Sequence, residues 1–185
     1  MKTSTLLTAV AFILLISCRS GPESTFTAKG PGFSLKIPES MTRTTSLNDE
    51  ASLQYQDMMK ELFVIVIDEP KSQLESALND NELYDQYTND LQGYYDLIIT
   101  NFKSSFSLEK LPAPTNTKIN GLPAKVVELD GNVEGDRIYC KLAFVEGKKH
   151  YYQIMAWTNA DRKKTLAKTI DDMVISFKET SKSKY

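Results

Sequence analysis

The chain has 185 residues, with 22 Lys and Arg against 24 Asp and Glu, and its formal net charge is −2 with the one histidine neutral. That balance argues against nucleic acid as a partner, because neutralising phosphates takes a concentrated basic face. One histidine and two cysteines leave too few ligands for a zinc site built from His and Cys alone.

In chain order, Lys2 supplies one cation, residues 6–16 are apolar apart from Thr8, and the small residue Ser17 stands directly before Cys18. A basic start, a short apolar run and a small residue form the pattern of a cleavable signal peptide. About 11 residues at 1.5 Å rise cover roughly half of a 30 Å hydrocarbon core, so this run is too short to span as a helix. Residues 1–17 are therefore expected to be removed. Residues 18–29 open with Cys-Arg-Ser-Gly-Pro-Glu-Ser-Thr, small and turn-prone, and predict a flexible tether. Residues 30–178 are then long enough for one domain with a sizeable core.

Within that domain, Gly30-Pro31-Gly32 reads as a turn, and Phe33 to Ile37 alternate apolar and polar with period two, as in a strand with one wet face. A second strand is expected within residues 51–58. Residues 62–67 are apolar throughout and rich in β-branched side chains, which predicts a central strand covered on both faces. From about Asn81 the period changes: Leu83, Tyr87, Leu91, Tyr94, Ile98 and Phe102 recur every three or four residues, and predict one long amphipathic helix with a weak point at Gly93.

After Pro112 and Pro114 the chain returns to strands. They are expected at 115–119, then, past an Asn120-Gly121 turn, at 124–129, and after a turn at 131–135, at 137–145 and 150–157. The last two are joined by Glu146-Gly147-Lys148-Lys149, a hairpin connection. A closing helix is expected from an N-cap at Thr158 or Asn159, with Leu166, Ile170, Met173, Val174 and Phe177 on one face. The charged residues 179–185 predict a frayed tail. Strands, a long middle helix, an antiparallel run and a C-terminal helix make the fold class α+β.

Two resemblances add to this reading. Leu15-Ile16-Ser17-Cys18 resembles the bacterial lipobox, which implies a lipoprotein whose Cys18 carries the lipid as the first residue of the mature chain. Membrane attachment through Cys18 then follows, with palmitate among the acyl chains, and Arg19 in place of an Asp implies the outer membrane if the host is diderm. With Cys18 lipidated, Cys140 has no intramolecular partner for a disulfide. The second resemblance rests on Gly32-Phe-Ser-Leu-Lys-Ile-Pro38, the middle helix, the antiparallel run and the ending Ile175-Ser-Phe177-Lys. Together these look like the PsbP-like α/β/α sandwich, although no aromatic follows the Pro in Glu39-Ser40-Met41. It implies a binding or assembly role without catalysis.

Candidate chemistry is sparse. His150 is the only histidine and Cys140, in step with Ile138, Leu142 and Phe144, reads as a small buried hydrophobe. Asp130, Asn132 and Asp136 place oxygen-bearing side chains in a Gly-rich turn whose spacing is not that of an EF-hand, so no metal and no cofactor are expected. Tyr151 and Tyr152 must face opposite sides of one strand, and both are covered if the domain is a full sandwich. The expected binding residues are Asp130, Asn132, Asp136, Tyr151 and Trp157, acting on an envelope protein or small ligand. The competing expectation is an envelope hydrolase or redox enzyme using His150 or Cys140.

Overall fold

The structure is a computed structural model that describes residues 23–105, 112–133 and 135–180. The signal, Cys18 and the first part of the tether lie outside the described residues. Strands β1 (Thr25–Gly30) and β2 (Phe33–Pro38) form a hairpin that β10 (Lys178–Glu179) joins as a third strand, antiparallel to β2. A second, antiparallel sheet has seven strands. Strands β3 (Thr42–Arg43), β4 (Leu53–Asp57) and β5 (Leu62–Pro70) precede helices α1 (Lys71–Asp80) and α2 (Leu91–Ser105). Strands β6 (Thr115–Ile119), β7 (Leu122–Val133), β8 (Asp136–Glu146) and β9 (His150–Asn159) follow them, and the sheet order is β3-β4-β5-β9-β8-β7-β6. A 3-10 turn (Ala160–Arg162) leads into α3 (Lys163–Ile175).

Period two divides the large sheet into two buried faces. On one, Leu62, Val64, Val66, Ala143, Val145, Tyr152 and Ile154 meet the small sheet and α3, which contributes Leu166, Ile170, Met173 and Val174. On the other, Val127, Leu129, Cys140, Leu142, Phe144 and Tyr151 meet Leu74 and Leu78 of α1 and Leu91, Tyr94, Tyr95 and Ile99 of α2. With both faces covered, the strands need not alternate with polar residues, and β8 is buried from Tyr139 to Val145. The α+β sandwich expected from the sequence is present, and Tyr151 and Tyr152 are both buried on opposite faces.

Several local expectations are corrected. The tether does not run to residue 29: Thr25–Gly30 is a strand paired with β2, and Gly30 ends it rather than opening a turn. The tail does not begin at 179, because Glu179 pairs with Phe33. The helix predicted from about Asn81 begins only at Leu91: residues 81–90 form a connection, and a separate helix that was not expected, α1, precedes it. Glu82 takes φ 54, which interrupts the right-handed helix. Asp90 Oδ1 then accepts from Thr88 Oγ1 (2.6 Å) and from the Gly93 backbone N–H (2.9 Å), starting α2. A Cβ on Gly93 would overlap the Thr88 carbonyl, so the connecting loop can press on the first turn of α2 only past a glycine. Leu83 and Tyr87 mimicked helical spacing because the loop lays both against the same core.

The closing helix starts at Lys163, later than expected, and neither it nor the preceding 3-10 turn has a side-chain N-cap. Strand β9 simply runs on to Asn159, because β5 and β8 pair with it along its length. For the same reason the middle of the sheet is β9, with β5 beside it. The turn expected at 131–135 is shorter than that, since β7 and β8 stay paired as far as Val133 and Asp136.

Candidate functional site

Three chain turns and one C-terminal segment meet at one end of the sandwich. They are the β1–β2 turn at Gly32, the β6–β7 turn at Asn120, the β8–β9 turn at Lys148 and Lys149, and the segment Lys178 to Thr180. They surround an open cleft of about 820 Å³, which Leu122, His150 and Tyr152 also line. Strand β10 brings the last of these segments in: Lys178 pairs with Ser34, Glu179 with Phe33, and the Thr180 N–H donates to the Gly32 carbonyl at 2.7 Å.

Glu179 ties the segments together. Its Oε1 accepts from the Lys148 backbone N–H at 2.9 Å and from the Tyr152 hydroxyl at 3.3 Å. Burial, and then the Glu179 carboxylate, push the Tyr152 phenol up, so the hydroxyl stays protonated and donates. A Cβ on Gly147 would collide with Glu179 Oε1 and the Tyr152 ring, so the hairpin needs glycine where this carboxylate passes. The side chains of Lys148, Lys149 and Lys178 make no ion pair with other described residues, and all three are exposed. Three ammonium groups against one carboxylate make the cleft locally cationic in a chain of net charge −2. Such a rim suits carboxylate or phosphate oxygens.

Of the residues singled out in the sequence, His150 is in the cleft, half-buried, with its ring centroid 6.1 Å from that of Tyr152. Cys140 is 0 % exposed in the core beneath α1 and α2, and burial pushes its thiol up, away from the reactive thiolate. It pairs with Trp157 on β9. Seven residues of strand, roughly 23 Å, separate that point from His150, so the two cannot act as a nucleophile and base.

The expected binding residues do not converge. Asp130, Asn132 and Asp136 lie at the β7–β8 turn, the end opposite the cleft. Asp130 is engaged by Arg137 (3.2 Å) and Lys163 (3.5 Å). Tyr151 is buried and stacked on Tyr94, with centroids 4.4 Å apart, and burial, then Glu146 and Asp90, push its phenol up to about 12. Trp157 stacks on Phe63 at 5.2 Å. Among the described residues no three His, Cys, Asp or Glu side chains gather as a metal site.

Sequence reasoning missed one polar cluster. Gln153 Nε2 donates to Glu69 Oε2 and to Tyr94 Oη, both at 2.9 Å, and the Tyr94 hydroxyl donates to the same Glu69 oxygen. Burial, and then the Glu69 charge, push the Tyr94 phenol far up, so it acts as a fixed donor. A polar Gln amid the apolar run of β9 was the available signal. The cluster joins β5, β9 and α2 where strands and helix must keep register.

No protein-family model and no curated protein sequence matches the chain. Among solved structures it is similar to cyanobacterial PsbP (CyanoP) from Synechocystis sp. PCC 6803, with TM-score 0.61, 15 % identity, and coverage of 89 % of this chain and 98 % of that one. It is also similar to a protein from Bacteroides thetaiotaomicron VPI-5482, with TM-score 0.51, 9 % identity, and coverage of 88 % of this chain and 50 % of that one. The fold is therefore PsbP-like. At these identities fold is what the likeness conveys, and function must come from the site.

Proposed function

We propose that the protein is a non-catalytic envelope lipoprotein, held to a membrane through Cys18, that uses the cationic cleft to bind a carboxylate- or phosphate-bearing ligand. The observation that carries the reading is the cleft itself: three lysines, unpaired among the described residues, converge on one open end of a rigid sandwich. The lipobox residues Leu15 to Cys18 support the anchor. The burial of Cys140, far along the sheet from His150, supports a role without catalysis.

The binding half is tested by thermal shift with citrate and with inorganic phosphate at fixed ionic strength. A ligand at 100 times its Kd stabilises by about 2.7 kcal/mol, or roughly 5–10 °C in a domain of this size. The wild-type chain is expected to show a saturable shift, and Lys148→Glu with Lys149→Glu is expected to lose it. No saturable shift with either anion, or an equal shift in the double variant, refutes the cleft as the site. The anchor is tested separately with labelled palmitate, expected in the wild-type protein and absent from Cys18→Ala.

A further inference from the structure

Strands β4 and β5 are joined by Met58-Met59-Lys60-Glu61 at the end of the sandwich opposite the cleft. Met58 and Met59 are 65 % and 87 % exposed, the most exposed large hydrophobic side chains among the described residues. The tip that carries them is ordered, because Asp57 Oδ1 accepts from the backbone N–H groups of Met59 and Lys60, each at 3.0 Å. Two exposed methionines on an ordered turn make an apolar tip, and what lies beside it decides what could cover it.

The chain start lies beside it. The Lys60 ammonium is ion-paired with Glu23, and the Ser40 hydroxyl donates to the same Glu23 oxygen at 2.9 Å. Glu23, the first described residue, is thus pinned beside the tip. Five residue steps separate it from Cys18, and at no more than about 3.6 Å each they span at most about 18 Å. A lipid-bearing Cys18 at headgroup level therefore holds the Met58-Met59 tip within reach of the acyl boundary, where flexible thioether side chains are readily accommodated. On the helix side of the same end, the half-buried Phe63 and Trp157 are stacked, and aromatic side chains favour the membrane–water boundary.

Electrostatics select the same corner. The exposed carboxylates of Asp136, which starts β8, and Asp161, in the 3-10 turn after β9, gather with Asp130 on the β7–β8 side of this end, and β9 lies between β8 and β5, which puts β8 about 10 Å from β5 at normal strand spacing. They disfavour contact with anionic lipid there. Near the β4–β5 tip, Lys60 is shared between Glu23 and the buried Asp57, the latter at 3.8 Å, and Arg162 is paired with Glu61 at 3.2 Å, so the carboxylates of Glu23, Asp57 and Glu61 each have a cation.

We infer that the β4–β5 tip docks on the bilayer that holds Cys18, inserting Met58 and Met59, so that the domain stands with its cationic cleft directed away from the membrane. This rests on the anchored reading of Cys18. The test uses the full lipidated protein in phosphatidylethanolamine–phosphatidylglycerol vesicles containing a nitroxide-labelled phosphatidylcholine. An environment-sensitive fluorophore is attached through Met59→Cys or, at the cleft end, Thr180→Cys; Cys140 is buried and Cys18 carries lipid, so neither takes the label. Quenching several-fold stronger at 59 than at 180 is expected, and Met58→Asp is expected to relieve it while the protein still floats with the vesicles. Flotation without quenching at 59, equal quenching at both positions, or quenching unchanged by Met58→Asp overturns docking and leaves the anchor standing. Failure to float overturns the anchor itself.

Discussion

Phe33→Ala is expected to destabilise the domain by about 3–5 kcal/mol, the range for removing a fully buried phenylalanine ring, and to lower Tm by roughly 6–20 °C. Phe33 is 1 % exposed and belongs to a three-ring cluster. Its ring stacks on Phe177 at 5.7 Å and meets Tyr152 edge-on at 5.6 Å, while Tyr152 and Phe177 are 4.8 Å apart. The cluster joins β2, the central strand β9 and the chain just after α3, so each ring has neighbours from two other elements. Gly30 is part of the design: a Cβ there would run into the Phe33 ring, which lies flat over the end of its own hairpin. Little can collapse into the void, because the surroundings are sheet backbone and other rings. Glu179 also pairs with Phe33, so the same substitution is expected to weaken anion binding in the cleft. Urea unfolding by circular dichroism measures the first effect. A loss of less than about 1 kcal/mol would show that the ring is not a keystone of this layer.

A second sensitivity lies at the opposite end and depends on pH. Burial pushes the Asp57 carboxyl up, but the Ser40 hydroxyl, the backbone N–H groups of Lys60 and Met59, and the Lys60 charge together hold it below the ordinary carboxylate range. A depressed folded-state pKa stabilises above the unfolded value near 4 and loses that contribution as pH falls through the folded value. Asp57→Ala should therefore be less stable than wild type at pH 7, and the gap should narrow as pH falls below about 4. A gap independent of pH would mean that packing, rather than charge, explains Asp57.

The large sheet was legible because its strands obey local rules. Residues 62–67 are an apolar run, Ile138, Cys140, Leu142 and Phe144 fall in step, and 33–37 alternate, so each announced a strand whatever its partners. Helix α1 did not, since only Leu74 and Leu78 are buried and the other positions are polar or small. Strand β1 buries Ala28 alone, and β10 is two residues that exist as strand only because β2 is beside them. The cleft was illegible for a related reason. Gly32, Asn120, Lys148 and Lys178 are far apart in sequence and meet only because three turns and β10 share one end of the sandwich, so no spacing records them. Asp130 and Asp136 drew notice by their closeness in sequence, yet they stand at the other end, with Asp130 already paired to Arg137 and Lys163.

Asn120 shows how one residue can serve two of these requirements, and Asn120→Ala is expected to cost about 2–5 kcal/mol. With Gly121 it forms the two-residue turn between β6 and β7, at φ 47 and 87, the left-handed pair that Asn-Gly favours. Its side-chain Nδ2 donates to the carbonyl of Ile175 (3.0 Å), which the end of α3 leaves without a helical partner, and to that of Phe177 (2.6 Å) just beyond the helix. Alanine loses two hydrogen bonds at about 0.5–1.5 kcal/mol each and must hold a left-handed backbone at about 1–2 kcal/mol. Asn120→Gly separates the two effects. Glycine adopts the backbone freely but caps nothing, so its loss should stay within about 1–3 kcal/mol and below that of alanine. Because these bonds fix the end of α3 against the floor of the cleft, both variants should also weaken citrate binding. Thermal melts of the three proteins decide: a glycine variant as stable as wild type would remove the capping role, and equal losses in the two variants would remove the backbone one.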